Sequence, residues 1–399
     1  MSSDGQGLLS HIHFRSATAL VVANVIGAGV FTTTGFQAAD LGNPMIILAL
    51  WLLGGVLAYC GALCFAELGA AMPDAGGEYI YLRETNGRAF GFMSAFVSLL
   101  AGFSAPIAAA VKSLVLYLRA FFPVLESDPA VLGALHLTDL VALIFVWLLV
   151  GVHLRGRKGA IGFNDLITLL KIAGIVLIIV AAALFGKGDT ANFVQVAGFY
   201  AVMSTSALFS ALATSLMFVM VCYSGWNAAA YVASEIVEPQ KTLPKALLAG
   251  TTIVTVLYLL LNMVYFYGAD VEQDVMKFRA LTRTNRGGAP INALLLQGLV
   301  TSLIIMSGSV DQILSYAGFT LALMSALAVS CVLVLRVKKP DMPRPFRVWA
   351  YPFPPLFIML VSLWTMYWAF QGRPVESTLA LLTVAMGGGI FYGAALLRR

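Results

Sequence analysis

Asn24-Val25-Ile26-Gly27-Ala28-Gly29-Val30-Phe31 sets two glycines and an alanine in the middle of an apolar run, Ser16 to Gln37. A helix interrupted there leaves N–H and C=O groups unpaired at bilayer depth. Hydrocarbon tolerates them only where they line a cavity or bind something. A second run, Ala207 to Ile236, carries Cys222-Tyr223-Ser224-Gly225-Trp226-Asn227 at its centre. Two interrupted spans, one opening each half of a chain, are the sequence pointer to the binding site of a secondary transporter.

Composition supports a membrane setting. The 399 residues are 60% hydrophobic and 11% charged, against about 25% charged in soluble domains; mean hydropathy is +0.89. Apolar runs long enough to cross a bilayer lie near 16–37, 44–70, 89–120, 137–154, 160–185, 207–236, 246–268, 290–308, 311–337, 353–371 and 377–397. None alternates like a barrel strand, so the expectation is one all-α, multi-pass domain of eleven helices. The first run is too long for a signal-peptide core and is expected to stay in the mature chain. Cys60, Cys64, Cys222 and Cys331 all fall inside runs, where they read as small core hydrophobes.

The net charge of +5 does not point to nucleic acid, because the basic residues cluster in loops. Arg15, Arg83, Arg88, Arg155, Arg157, Lys158, Lys241, Lys245 and the group from Arg336 to Arg347 mark one face, while the 121–136 loop carries Glu126 and Asp128 without Lys or Arg. This alternation places the N-terminus in the cytoplasm. One span, 246–268, separates Lys241 and Lys245 from the basic group Lys277, Arg279, Arg283 and Arg286. A single span cannot return the chain to the side it left. Either one basic loop lies outside, or a helix is absent. The order Asp270, Glu272, Asp274 and then Lys277 to Arg286 reads as an outer loop joined directly to an inner one.

The chemistry of the breaks can be read from residue types. Gly27, Ala28 and Gly29 let backbone approach a ligand closely, and the helix resuming after them aims free N–H groups and its positive end at a carboxylate. Alternatively, they form a small-residue contact between helices. At the second break, carbonyls near Tyr223, Ser224 and Gly225 could accept an ammonium group, with Tyr223 and Trp226 closing over a side chain. Its alternative is a buried aromatic cluster. Together the breaks suit both ends of an α-amino acid.

Four stretches resemble the amino acid–polyamine–organocation superfamily of transporters. They are Val25 to Phe31; Phe65-Ala66-Glu67-Leu68 with Pro73 to Leu82; Tyr223 to Asn227 through Ser234-Glu235 and Pro239 to Pro244; and Arg344 to Val348 with Tyr351-Pro352. The resemblance implies two five-helix repeats inverted about the membrane plane, about 16–185 and 207–337, the second incomplete, with accessory helices over 353–397. The first and sixth helices are the broken ones. By position, Ile26, Ala28 and Gly29 would meet a substrate carboxylate, and carbonyls near Val221, Tyr223 and Ser224 its amine. The family has twelve helices; the eighth, with its outer loop, is the one missing between Gly268 and Gly287. That gap would leave an open pocket wall, a helix lent by a neighbouring subunit, or an incomplete record of the natural protein.

Lys171 lies about 16 Å along its helix from residue 160, near mid-membrane. A charge at that depth is a functional hypothesis by default. In sodium-independent relatives a matching lysine replaces sodium and braces the first broken helix; such an ammonium is also placed to exchange protons. Glu67 and Glu78 read equally as gating or structural residues. Glu235 is expected to pair with a nearby loop lysine, and Lys112 to snorkel outward. His11, His13, His136 and His153 sit at span ends without metal spacing. No ATP-binding loop or hydrolase arrangement appears, so no enzyme activity and no cofactor are expected.

The expectation is a transporter of neutral amino acids in a bacterial inner membrane or plasma membrane, working by alternating access, proton-coupled or by exchange. Neither break carries a carboxylate or arginine to pair with a charged side chain. A cationic amino acid or polyamine antiporter is the alternative, as is a non-transporting membrane sensor or assembly partner.

Overall fold

The computed structural model describes residues 12–27, 29–119, 121–132, 135–153, 157–185, 188–193, 204–268, 299–306 and 308–396. Among them, nine helices are long and apolar enough to cross a membrane, and Leu137–Gly151 forms a shorter apolar one. Ten of the eleven expected spans are therefore helices. The remaining one, 290–308, lies largely outside the described residues, as does the proposed junction between Gly268 and Gly287; its part at 299–306 is helical.

The first expected span is two helices, α1 (Phe14–Val25) and α2 (Gly29–Leu41). Next come α3 (Pro44–Ala71), α4 (Glu78–Asn86) and α5 (Arg88–Val97). A π-helical segment, Ser98–Ser104, joins α5 to α6 (Ala105–Leu118). Pro106 has no N–H to return to the carbonyl of Gly102, so the regular ladder cannot continue there. A short α7 (Pro123–Ser127) and a hairpin of β1 (Ala130–Leu132) and β2 (Leu135–His136) precede α8 (Leu137–His153) and α9 (Arg157–Phe185). The second half opens with α10 (Thr205–Tyr223) and α11 (Ala228–Tyr231), then α12 (Pro239–Gly268), α13 (299–306), α14 (Val310–Lys338), α15 (Phe353–Gly372) and α16 (Pro374–Leu396).

Local chemistry starts several of these helices. The Asn43 side chain accepts from the amides of Met45 and Ile46 ahead of α3, with Pro44 at its first position, where a missing N–H costs nothing. Ser204 caps α10, and Ser309 with Gln312 forms a reciprocal cap on α14. Helix α3, apolar on every side, is the central post: α12, α10, α14 and α15 all pack on it. Its small residues permit the approach, with Gly54 against Val219 and Tyr223, and Gly55 against Thr255.

One backbone tie joins the chain's beginning to its middle. Ile12 pairs in parallel with Ile236: the Ile12 amide donates to the Glu235 carbonyl at 3.0 Å, and the Val237 amide to the Ile12 carbonyl at 2.9 Å. The segment before α1 is thus fastened to the segment that follows α11.

Candidate functional site

Both expected breaks are present, and they touch. At the first, Ile26 turns to extended backbone, φ −72° and ψ 98°, and helix resumes at Gly29. Ala28 lies outside the described residues. At the second, α10 ends at Tyr223, Ser224 is extended, and a turn through Gly225 (φ 99°) leads into α11. That left-handed value favours glycine. A Cβ on Gly225 would also lie 2.9 Å from the carbonyl carbon and oxygen of Asn24, and one on Gly29 would lie 2.8 Å from the Cys222 sulfur. The glycines are therefore what lets the two interrupted segments meet. Thr33 Oγ1 and Cys222 Sγ, 3.2 Å apart, add a polar link between α2 and α10.

The unwound carbonyls are partnered by side chains from other helices. Lys171 of α9 donates from Nζ to the Ile26 carbonyl at 3.0 Å, and among the described residues it makes no ion pair. Tyr258 of α12, 0% exposed, donates to the Val25 carbonyl at 2.8 Å, with the Cys222 carbonyl 3.3 Å away. One hydroxyl thus serves both breaks. Its ring is held at right angles to Trp51 (5.4 Å between centroids) and tilted on Tyr223 (5.2 Å). Sequence reading missed Tyr258. The available signal was a polar stripe at helical spacing, Thr251, Thr255, Tyr258 and Asn262, on an otherwise apolar span.

Several expected residues take other partners. The Val221 carbonyl accepts both the amide (3.0 Å) and the hydroxyl (2.6 Å) of Ser224, so the turn itself occupies this candidate acceptor. Tyr223 is buried and donates to the Trp51 carbonyl at 3.1 Å. Trp226 lies edge-on to Phe65 at 4.8 Å, over Gly61. Both rings therefore pack on α3 instead of closing over the breaks, which corrects that expectation. Gly27 lies in the break, with open space where its Cβ would be.

The acidic candidates separate clearly. Glu67, 2% exposed, accepts two bonds from Arg336 (3.0 and 2.6 Å) and one from the Val348 amide (2.7 Å), with Arg344 Nε at 3.5 Å. Arg336 also lies over the Tyr351 ring at 3.8 Å. This network clamps α3, α14 and the loop before α15 together. Glu78 accepts from Ser98 and from Tyr231, each at 3.1 Å. Burial pushes its carboxyl above the usual carboxylate range. Glu235 makes no ion pair among the described residues; Lys241 pairs with Glu238 at 3.1 Å instead. Lys112 does not snorkel. It pairs with Asp139 at 3.2 Å and donates to the carbonyls of Ile305 and Gly308, holding the end of α13.

Two touching breaks, braced from α9 and α12 inside a bundle of apolar helices, describe a membrane transport protein. The family model for amino acid permeases matches residues 12–276 and 269–391, and the chain belongs to that family of transporters, which are not enzymes. With the family comes the five-plus-five inverted-repeat fold, whose first and sixth spans are the two broken ones. The chain is 26% identical to the large neutral amino acids transporter small subunit 2 of Rattus norvegicus over 456 positions, covering 98% of this chain and 82% of the relative. It is 24% identical to the b(0,+)-type amino acid transporter 1 of Mus musculus (96% and 88% covered). Identity to the cystine/glutamate transporter of Homo sapiens is 26% (87% and 79% covered).

Proposed function

We propose that this permease carries neutral amino acids by alternating access, with the substrate's backbone held between the two breaks. The carrying observation is the Lys171 ammonium on the Ile26 carbonyl. It sets a positive charge beside the unwound segment, with no acidic partner among the described residues, in the place a coupling sodium ion would otherwise fill. Amides of the first break, from Gly27 to Gly29, would receive the carboxylate; carbonyls of Tyr223 and Ser224, together with the backbone at Gly225, would receive the amine. Val221 contributes through the turn it builds with Ser224. The neutral side-chain preference is supported by the absence of acidic or basic residues in 24–31 and 221–227, and by the relative named for large neutral amino acids.

Coupling is by proton or by exchange, and the N-terminus lies in the cytoplasm. Glu67 acts as a structural clamp, and Glu78 and Glu235 contribute to gating. The chain lacks one scaffold span between Gly268 and Gly287. Two observations support this: the family match falls in two stretches meeting at 269–276, and the alignment to the rat relative runs over more positions than this chain has residues.

Competition uptake in proteoliposomes tests the reading. Neutral amino acids displacing labelled leucine support it; displacement by arginine or putrescine alone favours a cationic antiporter, and binding without flux a sensor. Lys171→Ala is expected to abolish flux while the protein still reaches the membrane. Unchanged flux with unchanged pH dependence refutes the coupling role.

A further inference from the structure

We propose that the cavity beneath Glu78 is a second binding site, separate from the two breaks, for a small organic ammonium ion. The cavity has a volume of about 340 Å³, and its walls include Glu78, Tyr79, Ser94, Ser98, Phe103 and Tyr231. That volume is in the range of small-molecule sites. Its chemistry is one-sided. The Glu78 carboxylate receives only neutral hydroxyls, Ser98 and Tyr231, and makes no ion pair among the described residues. The nearest basic residue along the chain, Arg83, is engaged with Glu84 at 3.0 Å and lies over the Tyr79 ring at 5.6 Å.

Two further features point to a ligand. Ser94, 0% exposed, belongs to the cavity wall, and its hydroxyl has no hydrogen-bond partner. Buried hydroxyls are almost always partnered, so the wall at Ser94 is short of one polar contact. The second feature is the π-helical segment Ser98–Ser104, which carries both Ser98 and Phe103 and belongs to a class of distortion enriched at functional sites. Phe103 meets Tyr231 edge-on at 6.2 Å. A carboxylate flanked by aromatic rings is the arrangement that holds ammonium groups, through ion pairing and the negative ring faces. The rings select an organic ammonium over a strongly hydrated metal cation.

The test titrates n-butylammonium into the purified full chain in lipid nanodiscs, read by calorimetry. Saturable binding is expected, weakened about tenfold or more in Glu78→Gln, the size of a lost charge-assisted contact. Glutamine keeps an oxygen for Ser98 and Tyr231, so the fold is not at stake. Phe103 is exposed, and Phe103→Ala is expected to weaken binding several-fold without unfolding. Lys171→Ala, at the breaks, is expected to bind the probe normally. That keeps this site distinct from the transport reading, whose failure would show in uptake alone. Absence of saturable binding, equal binding by Glu78→Gln, equal binding of n-butanol, displacement by equimolar sodium, or loss of binding in Lys171→Ala would each overturn the proposal.

Discussion

Removing the single oxygen of Tyr258 isolates the contribution of the bridge between the breaks. In Tyr258→Phe the ring keeps its packing on Trp51 and Tyr223, so the cavity created is one oxygen wide. What disappears is the donor to Val25, 2.8 Å away in a fully buried place, with the Cys222 carbonyl as its alternative acceptor. Helix interruption has already deprived these carbonyls of ordinary ladder partners. Each buried acceptor left unpaired costs roughly 1–3 kcal/mol. The hydroxyl has one hydrogen and satisfies one carbonyl at a time, so a single penalty is expected, not two. Thermal unfolding of the purified protein should register that loss. In proteoliposomes the substrate KM should rise by up to about tenfold, since about 1.4 kcal/mol corresponds to a factor of ten. Maximal rate should change less, because the variant misplaces the binding backbone without touching Lys171. A Tyr258→Phe protein that melts like the parent and takes up substrate with the same KM would refute the bridging role.

Glu67→Gln should destabilise the protein by about 1–3 kcal/mol, because Arg336 loses its charged acceptor while Arg344 keeps its bonds to the carbonyls of Leu335, Lys339, Pro340 and Met342; near-parental melting would count against the clamp. Gly225→Ala should abolish substrate binding while Gly27→Ala leaves the backbone path intact, since only the former meets the Asn24 carbonyl and requires a left-handed φ; binding assays on both variants decide it. For Glu78, burial raises the carboxyl above its usual range. The fold therefore favours the protonated form, and the stability so contributed is lost as pH rises through that raised value. Melting curves across the acidic range should show this slope in the parent and not in Glu78→Gln.

The breaks were legible because glycine pairs and a polar run inside an apolar span serve few purposes besides interrupting a helix. Lys171 was legible for a similar reason: depth follows from helix rise, and a charge there needs a partner. The partners themselves were harder to read. Lys112 looked like a residue reaching for water because Asp139 and the carbonyls of Ile305 and Gly308 are remote in sequence, and only packing brings them together. Trp226 looked like a lid because aromatic residues beside a break suit that role. Its ring instead fills the space left by Gly61, a match between two spans that neither one reveals alone. Tyr258 escaped because a tyrosine in an apolar helix resembles ordinary packing until its hydroxyl is placed.

The parallel pairing of Ile12 with Ile236 carries a mechanical consequence. The segments it fastens lead into the first interrupted helix and out of the second, so the two interrupted helices are tied to each other beyond their breaks for as long as the bridge holds. Parting them would sacrifice two main-chain bonds, each worth roughly 0.5–1.5 kcal/mol. A tether that weak can be released by thermal fluctuation, yet it holds the outer ends of both interrupted helices in register while it lasts.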